Sequence, residues 1–190
     1  TKNEACGRCY EQEESGFFSM RNSSNQTFGH HIKTIDDDEF KIRYYDIRFS
    51  NLCNLSCRSC GDVFSSNWVK EAKLMNWLPK DAPNVSYAGK TETDAWEQLL
   101  PHIPHIEEVY FAGGEPLMMK EHYDLLHELL RQGRTDVKLV YNTNFTELVF
   151  KGSSVLPLWN EFECVSIGAS LDASHERAEL MRKGTKSRVL

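Results

Sequence analysis

The chain has 190 residues, 40% of them hydrophobic, which is enough for one domain with a sizeable core. Its net charge of −6 argues against a surface that coats nucleic acid, and no apolar run approaches the ~18–20 residues that a membrane span needs. The six cysteines are clustered, and no n-region and h-region of a secretory signal precedes them, so a reducing, cytoplasmic location is expected.

Residues 1–40 read as an N-terminal extension, set apart from a main region at 41–190. The extension carries a C-x2-C pair, Cys6 and Cys9. Two thiols cannot close a metal site, so three readings stand: part of an auxiliary cluster, a zinc-stabilised hairpin, or free thiols. His30 and His31 read as loop or surface residues. The run Asp36, Asp37, Asp38, Glu39 lacks the alternate spacing and glycine of a calcium loop and reads as a solvated turn.

The main region reads as repeated strand–helix units. Alternation and β-branched or aromatic content predict a first strand over 43–49, with Tyr44 and Tyr45 on two packed faces. Ser65 or Ser66 would cap a helix whose apolar stripe is Trp68, Ala72, Met75 and Leu78. A polar, turn-rich loop spans 79–93, a second helix lies around 95–100, and a buried strand starts at Val109. In between, His102 and His105 resemble a ligand pair, but Pro104 interrupts any regular i, i+3 arrangement. Residues 120–131 form an amphipathic helix through Tyr123, Leu126 and Leu130, ended by Gly133. Strands follow at 137–144 and 162–172, with Cys164 a buried core residue of the latter and Arg182 on the next helix. This order predicts a parallel sheet with its chemistry at the strands' C-terminal ends.

Cys53, Cys57 and Cys60, spaced C-x3-C-x2-C, stand directly after the first strand. Structural zinc sites and ordinary electron-transfer clusters are closed by four ligands. A loop that offers three leaves one corner of a soft metal centre for a substrate or cofactor. A disulfide would leave one thiol over, and a zinc knuckle would need a distant fourth ligand. Gly113-Gly114-Glu115-Pro116 ends the following strand, and glycines there let the backbone make a close approach.

Together these two motifs resemble the radical S-adenosylmethionine (SAM) superfamily, in particular its SPASM/twitch branch. The resemblance implies a partial (β/α)6 barrel whose last two strands are missing here, which puts stand-alone activity in doubt; separately, a chain that starts at Thr1 is expected to lack its native start. Cys53, Cys57 and Cys60 would hold a 4Fe–4S cluster. Gly113, Gly114, Glu115 and Pro116 would receive the methionine end of SAM, Glu115 accepting from its ammonium and Arg182 facing its carboxylate. Ser170, Asp172 and Asn144 fall where relatives make further SAM contacts. Read without the family, Ser170 and Asp172 have a second reading as a helix N-cap, and Asn142 and Asn144 as turn formers. The aromatic residue usual before the third cysteine is Ser59 here, so adenine stacking would fall to Phe64. Cys6 and Cys9 resemble the segment before a twitch-type barrel, which would add an auxiliary iron–sulfur cluster. The implied activity is reductive SAM cleavage for hydrogen abstraction from a peptide or protein side chain. A flavodoxin or ferredoxin would supply the electron, with neither nucleic acid nor membrane involved. The alternatives are a small-metabolite substrate, or a non-catalytic zinc- or cluster-stabilised interaction module.

Overall fold

A glycine and a serine shape the N-terminal region. α1 (Gly7–Glu14) ends where Gly16 takes φ +80°, a left-handed turn that lets the Phe17 amide bond back to Gln12. Ser19 then caps α2 (Met20–Phe28), accepting from the Asn22 amide at 3.1 Å. Its hydroxyl donates to Glu13, whose carboxylate also takes the Arg21 guanidinium, 4.9 Å above the Tyr10 ring. His30 and His31 lie on a 3-10 turn, Gly29–Lys33. The structure, a computed structural model, describes residues 3–34, 40–91 and 93–186, so the acidic run at 36–39 lies outside the described residues. Contacts divide the chain into two units, Thr1–Lys41 and Ile42–Leu190.

The second unit is mixed α/β around a parallel sheet. β1 (Tyr44–Ile47), β2 (Glu108–Phe111), β3 (Lys138–Thr143) and β4 (Val165–Ala169) lie side by side in that order, every neighbouring pair parallel. Register sets Ile47, Phe111, Tyr141 and Ile167 on one rung and Asp46, Tyr110, Val140 and Ser166 on the next. β2 and β3 bury every second residue, the period-two signature of a sheet with one covered face.

Helices cover that face. α3 (Ser66–Leu74) and α4 (Asp94–Leu99) lie in chain order between β1 and β2, and α5 (Lys120–Arg131) between β2 and β3. α5 has the span its periodicity predicts and buries His122, Tyr123, Leu125, Leu126 and Leu129. Each of those leucines contributes about 1.5–3 kcal/mol on burial. His122 is fully buried, its Nε2 2.9 Å from the Tyr141 hydroxyl and its ring edge-on to Phe111. α6 (Val155–Trp159) and α7 (His175–Met181) flank β4 in sequence. No described helix is long and apolar enough to cross a membrane.

Several local expectations change. α3 stops at Leu74 because Asn76 turns left-handed (φ +59°) and the Trp77 amide bonds back to Ala72. Its buried face is therefore Val69 and Ala72, with Met75 half-exposed and Leu78 outside the helix. Tyr44 is exposed, since only the Tyr45 side of β1 meets the core. Cys164 precedes β4 and is exposed, so it is not a core residue of that strand. Arg182 lies past the end of α7, and the two-residue segment Arg182–Lys183 pairs antiparallel with Ser56–Cys57. His102 and His105 sit on a 3-10 turn, Leu100–His105, that contains Pro104.

Candidate metal centre

The cysteine loop follows β1 and is held from three sides. From α3, the Ser65 hydroxyl donates to the Leu55 carbonyl at 2.6 Å while capping the helix, and Ser66 bonds both the amide and the carbonyl of Cys53. The Trp68 indole donates to the Cys57 carbonyl at 2.7 Å. From the end of β2, the Gly114 and Glu115 amides donate to Ser50 and Leu52. From beyond α7, the Arg58 amide donates to Met181 at 2.8 Å, next to the Cys57–Arg182 pairing. Buried Asn51 anchors the start of the loop, donating to the Asp62 carbonyl and accepting from the Ser86 amide.

Gly113 and Gly114 are fixed by this packing. A Cβ on Gly114 would lie 2.1 Å from the Leu52 carbonyl oxygen, so the close approach it permits is to the cysteine loop itself. Gly113 holds φ +111°, a conformation that favours glycine. Glu115 faces inward at 0% exposure. One oxygen accepts from the Thr143 hydroxyl at 2.6 Å and the Leu117 amide at 3.1 Å, the other from the Asn144 amide at 2.7 Å. Burial raises its pKa, and these three donors oppose the rise. Glu115 and buried Pro116 thus sit beneath the site, tying the end of β2 to the end of β3.

Asn144 reaches the loop from that tie. Its Nδ2 donates to Asn54 Oδ1 at 2.9 Å and approaches Cys53 Sγ at 3.8 Å, and its Oδ1 accepts from Thr146. The Leu55 amide is a second donor to Cys53 Sγ, at 3.5 Å. On the other side Arg182 Nη1 lies 3.6 Å from Cys57 Sγ. Arg182 Nε is 2.9 Å from Asp172 Oδ2, near enough for a charge pair but off the line of a hydrogen bond. Burial raises the Cys53 thiol pKa and pushes Cys57 up to about 11, with the Arg182 charge working against the latter.

Cys53, Cys57, Cys60, Gly113, Gly114, Asn144, Ser170 and Arg182 all line one cavity of about 290 Å³ at the C-terminal ends of the strands. Ser59 and the half-exposed Phe64 line it too. A second cavity of about 310 Å³ shares Asn144, Ser170 and Arg182 and adds Asp172. Both volumes suit small-molecule sites. The three sulfurs do not all lie within 4.8 Å of one another, whereas thiolates on one zinc, at a Zn–S distance of about 2.3 Å, stand about 3.8 Å apart. The donor set is soft. Cys6 and Cys9 belong to the first unit, on the turn before α1 and on α1, and among the described residues no third ligand gathers with them within 4.8 Å.

Sequence reasoning missed Asn51, Asn54, Trp68 and the Arg182–Lys183 ladder. Only Ser65 and Ser66 carried a readable signal, as helix caps, and that signal did not reveal their second task of holding the loop. No protein-family model, curated protein or solved structure matches this chain.

Proposed function

We propose that this chain is a radical SAM enzyme built on a partial (β/α) barrel. Cys53, Cys57 and Cys60 would hold a 4Fe–4S cluster, and the two adjoining cavities would take SAM. One observation carries the reading: three spaced thiols, the Gly113–Gly114 turn, Asn144, Ser170 and Arg182 converge on one cavity at the C-terminal edge of a parallel sheet. When bound, the cluster and SAM supply a 5′-deoxyadenosyl radical for hydrogen abstraction, given one electron from a donor such as a flavodoxin or ferredoxin. The chain's own residues position and shield. Ser65, Ser66 and Trp68 fix the loop backbone, Glu115 holds Asn144 against Cys53, and Phe64 offers an apolar surface at the rim.

The proposed substrate is a peptide or protein side chain, by resemblance to the SPASM/twitch branch. The test is anaerobic reconstitution with iron and sulfide, dithionite reduction, EPR with and without SAM, and assay of 5′-deoxyadenosine. A reduced-cluster signal that changes with SAM, nucleoside formation, and loss of both in Cys57→Ala are expected. Bound zinc without iron, and no nucleoside, would leave a structural metal module.

A further inference from the structure

Arg182 brings a charged side chain to a sulfur of the candidate centre. Its backbone is paired with Cys57, its Nη1 lies 3.6 Å from Cys57 Sγ, and its side chain is only 15% exposed. Asp172 holds the guanidinium from the other side at 2.9 Å. With both ends engaged, Arg182 is built to face the ligand sulfur, whereas the family resemblance would aim it at a SAM carboxylate.

The geometry points to Arg182 as a positioning residue that sets the electron affinity of the centre through Cys57, with Asp172 as its counterweight. The inference rests on the iron–sulfur reading above. A cluster that accepts one electron gains one negative charge spread over iron and sulfur. A cation donating N–H to a ligand sulfur stabilises that reduced state and raises the potential, most strongly where water is largely excluded. Asp172 offsets part of that charge. Asn144 makes a longer, neutral contact to Cys53 Sγ, so its influence is smaller. Cys60 is exposed, and no such cationic donor reaches it among the described residues.

Opposite signs make the inference testable. The protein is reconstituted anaerobically as wild type, Arg182→Gln, Arg182→Lys, Asp172→Asn and Lys183→Gln, and each is titrated by EPR against a series of solution potentials. Arg182→Gln is expected to lower the potential, cutting the reduced-to-oxidised ratio at fixed poise about tenfold, which is 59 mV for a one-electron couple. Arg182→Lys shifts it the same way by less, and Asp172→Asn shifts it upward. Lys183→Gln breaks the ion pair with Glu71 in the same ladder and leaves the potential in place. If Arg182→Gln does not load iron, Arg182→Lys and Asp172→Asn carry the comparison. Equal potentials in all iron-loaded variants overturn the inference, and weakened SAM affinity at unchanged potential returns Arg182 to the SAM carboxylate. A wild type that takes up no iron sinks the reading beneath it instead.

Discussion

The two faces of the sheet are made by the same strands and behave oppositely. Toward the helices, Ile47, Val109, Phe111, Leu139 and Tyr141 join the leucines of α5 in one closed core. On the other face stand Asp46, Arg48, Glu108, Tyr110, Lys138 and Asn142, partly or well exposed and paired among themselves. Arg48 meets Asp46, Lys138 meets Glu108 at 3.1 Å, and Asn142 donates to Tyr110. Parallel sheets are commonly covered on both faces; here one face carries the stability and the other stays open beside the cysteine cavity, where Arg48, Tyr110 and Asn142 also line the wall. A residue's parity along the strand decides which task it takes.

The sharpest way to break this division is at the point where sheet and loop meet. Gly114→Ala would drive a methyl into the Leu52 carbonyl, and a loss of more than ~3 kcal/mol in urea unfolding is expected. Gly61→Ala, in the same loop with open space around it, should change stability by less than about 0.5 kcal/mol. The next effect belongs to the closed face. Burial lowers the His122 pKa to about 3, against about 6.5 unfolded, so the folded state resists its protonation. Its contribution is complete above about pH 6.5 and is lost as pH falls toward 3, by up to ~1.4 kcal/mol per pH unit. Unfolding curves of wild type and His122→Phe between pH 7 and 4 should therefore converge or cross in favour of the variant as acid is added; parallel curves would place His122 in water. The smallest effect sharpens the contrast from the open side. Asp46→Asn should shift stability by less than about 0.5 kcal/mol, since an exposed ion pair contributes little.

Much of the fold was legible because long periodic segments announce themselves. The spans of α5 and β3 were read to within a residue, and the parallel arrangement followed from strand–helix succession. Short elements were not: α6 spans five residues with a proline inside, and the Ser56–Cys57 and Arg182–Lys183 segments gain their hydrogen bonds only from each other. Cys164 was misplaced because its apolar neighbours imitate a strand that begins one residue later. At the site, residue types and spacing revealed the thiols, whereas the inward turn of Glu115 depends on Thr143 and Asn144, far away in sequence. Side chains that meet only across the fold leave no local pattern to read.

The ladder between Cys57 and Arg182 also sets a schedule. The two residues are 125 positions apart, and closing a loop of that length costs entropy that only the later contacts repay. At about 5–20 residues per second on the ribosome, Cys57 waits roughly 6–25 s before Arg182 is even synthesised. During that interval the three thiols hang on a loop clasped only from the α3 and β2 sides. The thiols of the nascent chain are thus most open to oxidation before Arg182 and the helix that precedes it emerge.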